Sequence, residues 1–309
     1  MMNRRQLLGR IAGTGVAMGG LAACSGGAGP TKRIAITMDD FRLGFSQHLS
    51  PDERDLAILE AFSRRAIRAA GFVTGANVDS DLGKTVLDRW EKAGHVIGNH
   101  CWSHPHASAI GAAAFCEDIA RNEAFLSGRK AYRKLFRFPY LDEGNTEAMR
   151  DEIRAWLAQQ GYRNAAVTID SQDWAITERL EARLTEDPEA DIEAYGAFYV
   201  EHVVALAEHY DAVATALGLA GTRHTLLVHH NILNGLFLGN VLDALARNGW
   251  HFSAADTALE DPLFDTQPVA LNSGRSLLDV IAAETGAAVP DYPERAHQFA
   301  RPSMIAAGL

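Results

Sequence analysis

Short β-branched runs alternate with segments of helical period from residue 32 to residue 252. This alternation constrains the fold more than any other feature of the chain. Residues 32–38 read as a buried strand. Residues 52–70 place Leu56, Leu59, Phe62 and Ile67 at helical spacing after a Ser50-Pro51 start. A strand over 70–75, a helix over 82–93 closed by Gly94, and a strand over 95–98 follow. Then come a helix over 115–126, a strand over 135–138 ending in a Pro139-Tyr140 turn, a helix over 147–160 and a strand over 165–169. A strand over 225–228, a helix over 241–248 and a short strand over 250–252 close the series. Such alternation predicts an α/β chain with a parallel sheet.

One stretch breaks the rhythm. Residues 175–222 show no strand pattern and read as two helices, 176–184 and 190–217, split by Glu186-Asp187-Pro188. They are expected to form an insertion between two strands. The tail after residue 256 is more polar and irregular, with one helix expected over 276–284. It is expected to pack on the main domain or close one end of it.

The polar residues of interest fall at the C-terminal ends of the predicted strands: Asp39 and Asp40, His100, Arg137, Asp170 and His229. Barrels and open doubly wound sheets both carry their chemistry there. No G-x-G-x-x-G or phosphate loop follows any of these strands. His100 and His104 are spaced i, i+4. With one carboxylate they would make a facial metal site with open positions, able to activate water. The second carboxylate of the Asp39-Asp40 pair is then free to act as a base. The pattern points to metal-assisted hydrolysis.

Composition excludes some partners. The formal net charge is −10, and no Lys/Arg run longer than two residues appears after residue 33, so nucleic acid is not expected as a partner. The N-terminus reads as a targeting segment outside the fold. Asn3-Arg4-Arg5-Gln6-Leu7-Leu8 is a twin-arginine pattern, followed by an apolar, Gly-rich stretch too short to span a membrane. Leu21-Ala22-Ala23-Cys24 resembles a bacterial lipobox, and residues 25–30 a tether; a simple cleaved signal is the plainer reading of the same residues. The expectation is export to the bacterial envelope, facing the periplasm, with the membrane reached only through a lipid anchor at Cys24. The remaining cysteines, Cys101 and Cys116, are expected to be free thiols.

Five stretches, in order and each at a strand end, resemble the motifs of the polysaccharide deacetylases (NodB-homology domain, carbohydrate esterase family 4). Thr37-Met38-Asp39-Asp40 resembles T-F-D-D, and His100-Cys101-Trp102-Ser103-His104 resembles H-[ST]-x-x-H. Arg137-Phe138-Pro139-Tyr140 matches R-x-P-Y, Asp170-Ser171-Gln172-Asp173-Trp174 matches D-x-x-D-W, and Leu227-Val228-His229 matches L-x-H. The resemblance implies a distorted (β/α) barrel, (β/α)7, with a helical insertion and an irregular C-terminal extension. The domains expected are a signal, lipobox and tether over 1–31, the barrel over 32–256 and the extension over 257–309.

The resemblance also implies roles. Asp40, His100 and His104 would hold one divalent ion, usually Zn2+. Asp39 would be the base, Arg137 its ion-pair partner, His229 the acid and Asp170 the carboxylate that orients it. The Tyr140 backbone N–H would face the oxyanion, and Trp174 and Leu227 would line the acetyl pocket. The implied partner is an N-acetylated glycan or oligosaccharide. Two further readings stand beside deacetylation: hydrolysis of a small non-sugar amide, and an inactive glycan-binding envelope protein.

The chain departs from the family in three places. Cys101 stands where the family has Ser or Thr, which should weaken support of the metal loop. Leu141 stands where Gly is frequent, and His230 where many members carry Asp. Asn231 and Asn234 read first as capping and turn residues, and second as sugar contacts. Trp102 suits either a sugar platform or the core.

Overall fold

A computed structural model describes residues 31–272, 274–293 and 301–309; the expected signal and lipidation site fall outside them. Strand β1, Arg33–Asp40, forms the centre of the sheet, and all but its first residue is buried. Its Ile-Ala-Ile-Thr-Met run suits a strand covered on both faces, as parallel sheets are. β1 pairs in parallel with β7 (Arg223–His229) along one side. On the other side it pairs with β2 (Ala70–Val73) near its C-terminal end and with β8 (His251–Phe252) at its start. β3 (Val96–Asn99), β4 (Tyr132–Phe136), β5 (Arg163–Asn164) and β6 (Ile169–Asp170) complete the order β5-β4-β3-β2-β1-β7-β6.

Every described pairing is parallel, and helices connect consecutive strands except β5 and β6. The result is a curled, distorted (β/α) barrel with seven strands on one path and β8 beside β1. Among the described residues β5 and β6 do not pair, so the barrel stays open there. The C-terminal ends of the strands face one side, and the expected functional residues sit on that side.

Of the strand expected over 165–169 only Ile169 is in a strand, β6, while β5 lies just before it, because side chains take the backbone groups between them. The Arg137 guanidinium donates to the Ala165 carbonyl, and Thr168 exchanges hydrogen bonds with Thr225 through both hydroxyls. The helix expected over 241–248 begins earlier, as Ile232–Arg247, because Asn231 caps it by accepting the Asn234 N–H at 2.9 Å. Gly235 hides that start in the sequence, yet a side chain there would meet Arg54 and Leu49.

Between β6 and β7 lie two helices, Asp173–Glu186 and Glu193–Ala216, where two were expected. In the tail, the helix Leu277–Thr285 buries Leu277, Leu278, Val280 and Ile281 in contact with the rest of the chain. No described helix is long and apolar enough to cross a membrane.

Candidate metal centre and active site

Successive side chains of a strand point to opposite faces, yet Asp39 and Asp40 reach the same site. Asp40 leaves the extended conformation with φ of 75°, and Phe41 follows at 56°. That turn folds the second carboxylate back beside the first. Both are buried, as is His100 at the end of β3. His104 follows on a loop in which Cys101 and His104 again have positive φ, 63° and 57°.

Asp40, His100 and His104 converge, with one candidate ligand atom from each lying within 4.8 Å of the others. Asp40 Oδ1 is 3.0 Å from His104 Nε2 and 3.4 Å from His100 Nε2. His100 Nδ1 lies 2.8 Å from the Arg137 carbonyl, which only accepts, so this nitrogen carries the proton. The Nε2 lone pair of His100 therefore faces Asp40. Asp40 Oδ1 is a buried oxygen without a hydrogen-bond partner. A lone pair and an orphaned carboxylate oxygen directed at each other call for a cation between them, so the residues fit a divalent ion. Burial pushes the Asp40 carboxyl up, but the two imidazoles and the charge of His229 outweigh it and hold the group well below the usual carboxylate range. Burial pushes His104 down, towards the neutral form a ligand needs. The exposed Arg42 reaches the other Asp40 oxygen, Nε to Oδ2, at 3.2 Å.

Asp39 meets Arg137 as expected. Arg137 Nη1 lies 3.2 and 3.4 Å from the two Asp39 oxygens, and Nη2 is 3.2 Å from Thr37 Oγ1. Arg137 is buried to 1% exposure. Its guanidinium carbon sits 4.6 Å over the Phe72 ring, which packs against Gly98, where a methyl group would clash with it. A buried fork of this kind fixes the carboxylate in one orientation.

His229, at the end of β7, is oriented by a different carboxylate from the one expected. Asp173 Oδ1 lies 2.6 Å from His229 Nδ1, and Asp173 Oδ2 accepts the His229 backbone N–H at 2.8 Å. Asp170 instead accepts the Gln172 N–H at 3.0 Å. The orienting role given to Asp170 therefore passes to Asp173. The reason is local: Gln172 takes a left-handed conformation, φ 53°, and starts the helix at Asp173, whose side chain then points back at β7. Asp173 also accepts from Asn231 and Asn234, which join it to the helix cap. Burial pushes His229 down, but Asp173, then Asp40 and Asp39, overturn this and raise its pKa to about 10. Burial raises Asp170 to about 6.

These groups share one pocket of about 660 Å³. Asp39, Asp40, His100, His104, Tyr140, Asp170, Trp174, Leu227 and His229 all line it, so of the expected site residues only the buried Arg137 does not. The helix Asp173–Glu186 adds Thr177, Glu178 and Glu181 to the wall, and Arg42 and the exposed Phe45 border it. His230 is buried, stacked on Phe41 and 3.4 Å from Asp55 through Nε2. Trp102 lies outside the pocket, edge-on to Phe125 with Arg121 over its ring.

The metal loop has supports that the motifs do not reveal. Asp118 accepts the Trp102 and Ser103 N–H groups at 2.7 and 3.0 Å and the Ser103 hydroxyl at 2.8 Å. Asn99 accepts the Cys101 N–H at 2.9 Å and is itself held by Asn122. Cys101 is fully buried in an apolar cluster that includes Phe115, Ile119 and Phe136, and burial keeps its thiol well above the usual range. It is free, as expected, and so is Cys116. Leu141 adopts a left-handed φ of 51° without the glycine frequent there.

The sequence model described as polysaccharide deacetylase matches residues 26–165. A peptidoglycan-N-acetylglucosamine deacetylase of Bacillus cereus is 27% identical over 143 residues, which is 46% of this chain and 46% of that protein. The chain thus aligns with about half the length of that relative. Among solved structures, a polysaccharide deacetylase from Bacillus cereus superposes with a TM-score of 0.51 at 19% identity, covering 72% of this chain and 91% of that one. The chitin deacetylase of the fungal pathogen Colletotrichum lindemuthianum gives 0.51 at 17% identity, covering 80% and 94%. At these identities the structural likeness is one of fold.

Proposed function

We propose, for a chain that carries a polysaccharide deacetylase domain, that it is a metal-dependent hydrolase removing N-acetyl groups from amino sugars of an envelope glycan. One observation carries the reading. An orphaned Asp40 oxygen with two imidazoles, Asp39 held from behind by the buried Arg137, and His229 held from behind by the buried Asp173 border the same pocket. Amide hydrolysis needs an activated water, a stabilised oxyanion and a proton for the leaving amine, and each has a candidate here.

Asp40, His100 and His104 would hold the ion; two imidazoles and a carboxylate suit Zn2+. Bound there, the ion supplies Lewis acidity, lowering the pKa of water toward about 7 and polarising the acetyl carbonyl. Asp39, fixed by Arg137, takes the proton of the attacking water. The Tyr140 N–H faces the oxyanion, and Leu227 and Trp174 enclose the acetyl methyl. His229, held protonated by Asp173, gives its proton to the leaving nitrogen. Each acid or base step of this kind contributes roughly 10²–10⁴-fold in rate. Asp170, half-buried at the end of β6 with its pKa pushed to about 6 by burial, adds to the charge around the acid.

A second reading keeps the chemistry and changes the substrate to a small non-sugar amide. It draws on the Asp173–Glu186 helix, which walls the pocket with Trp174, Thr177, Glu178 and Glu181. The third, an inactive glycan-binding protein, leaves the assembled base, acid and ligand set unused.

The proposed location is the envelope, with the chain exported by its twin-arginine segment and anchored through Cys24; the peptidoglycan deacetylase among its relatives supports it. The deciding experiment is acetate release from N-acetylated oligosaccharides and peptidoglycan, with and without chelator, for wild type and Asp39→Asn. Release dependent on both metal and Asp39 supports the proposal. Turnover of small amides but no glycan moves the conclusion to the second reading, and release indifferent to chelator and substitution overturns the mechanism.

A further inference from the structure

His106 lies two residues beyond the last metal ligand and outside the pocket lining. Its ring stacks flat on Tyr140, with centroids 3.6 Å apart and planes 8° from parallel. Tyr140 also meets the His104 ring in a T-shaped contact, with centroids 4.5 Å apart and planes at 67°. The Tyr140 backbone is left-handed, φ 57° and ψ 14°, and Leu141 follows at φ 51°. Neither residue is glycine, so the turn carries a conformational cost. Something outside the turn must hold it.

Asp142 fastens the two loops together. Its Oδ2 accepts the Ser108 N–H at 3.0 Å and the Ser108 hydroxyl at 2.6 Å, its Oδ1 accepts the Gly144 N–H at 2.9 Å, and His106 Nδ1 lies 3.5 Å away. The His106 loop is thus fixed to the Tyr140 turn at its base by Asp142 and at its tip by the ring stack.

We infer that His106 is a positioning residue for the proposed deacetylation. Its flat ring braces the Tyr140 ring, and through it the strained peptide whose N–H is directed at the oxyanion. It acts as a stacking surface. The inference rests on the deacetylase reading for its catalytic consequence, but the brace itself is testable without turnover.

The test compares wild type, His106→Ala and His106→Phe. Hydrogen exchange is followed over residues 137–144 in the metal-free full chain, and kcat, KM and zinc content are measured on the loaded protein. Loss of the stack should speed exchange of 137–144 in His106→Ala. It should also lower kcat by roughly tenfold or more, in line with the cost of slight misplacement, with KM and zinc content close to wild type. His106→Phe keeps a flat ring and should restore both readouts. Unchanged exchange in His106→Ala overturns the inference, and so does a His106→Phe variant that falls as far as His106→Ala. If wild type deacetylates nothing, the deacetylase reading fails, while the exchange comparison still decides the brace.

Discussion

Asp173 grips His229 twice, through the imidazole Nδ1 at 2.6 Å and through the backbone N–H at 2.8 Å. One carboxylate therefore sets both the position of the residue and the charge of its ring. With the proton held on Nδ1, Nε2 is left to face the pocket. The same arrangement makes the titration of His229 depend on Asp173 more than on any other partner, and it overcomes burial, which alone would push the other way.

Asp173→Asn should lower kcat by roughly 10²–10⁴-fold, the range of a lost acid step. It should also move the alkaline limb of kcat/KM to lower pH, because the pKa of His229 falls from about 10 towards its ordinary value of 6.5. The sign for stability follows from linkage. The folded pKa is raised, so the stabilisation is fully present below pH 6.5 and is lost as pH rises through about 10. In metal-free protein, the stability gap between wild type and Asp173→Asn should therefore be widest near pH 5–6.5 and narrow towards 10. Denaturant melts across that span measure it; a gap that widens with pH contradicts the assignment.

Arg137→Ala should cost more in folding than in substrate binding. The arginine is buried and its partner Asp39 is buried too, so removing it strands a carboxylate, at about 3–5 kcal/mol. Folded protein should lose kcat with little change in KM, since Arg137 does not line the pocket. Arg137→Lys should recover only part of either, because an ammonium cannot bond Asp39, Thr37 and the Ala165 carbonyl together. Chemical denaturation and steady-state kinetics on the same preparations separate the two effects.

The convergence of Asp40, His100 and His104 and the pairing of Asp39 with Arg137 were legible because each motif is short and the strand ends bring the motifs together. The identity of the carboxylate on His229 was not. Asp170 and Asp173 both stand in D-x-x-D-W, and the left-handed turn at Gln172 decides which one reaches β7. The supports of the metal loop were equally hidden. Asn122 and Asp118 lie on the Ala112–Leu126 helix, remote from the loop they hold, and no spacing rule links them to it. The parallel α/β order was readable from the alternation and the barrel only from the resemblance, while the interval between β5 and β6 depends on side chains of Arg137 and Thr225 that take over backbone bonds.

Zinc should stabilise the protein by mass action, because the unfolded chain has no converged site. At 100 times the dissociation constant the gain is about 2.7 kcal/mol. Asp40→Asn or His100→Ala should abolish the zinc-dependent rise in Tm, as each removes one of three converging ligand atoms. Asp39→Asn should keep it while losing activity, since Asp39 is held by Arg137 outside that trio. A zinc response lost in Asp39→Asn and kept in Asp40→Asn would reverse the division of labour between these neighbours.

Cys101 and Asp118 exchange the importance that the motif suggests. The motif places a hydroxyl at 101, yet here the residue is a thiol buried in an apolar cluster, and the loop amides go to Asp118 and Asn99. Cys101→Ala should therefore cost only about 1 kcal/mol of stability, the order of one buried methylene-sized group, and leave zinc affinity at the wild-type level. Asp118→Ala leaves the Trp102 and Ser103 N–H groups without their acceptor. It should weaken zinc binding by roughly 10–100-fold, the usual effect of removing a support behind a ligand. Competition with a chromogenic chelator gives both affinities directly. Weaker binding in Cys101→Ala than in Asp118→Ala would return the supporting role to the residue between the histidines.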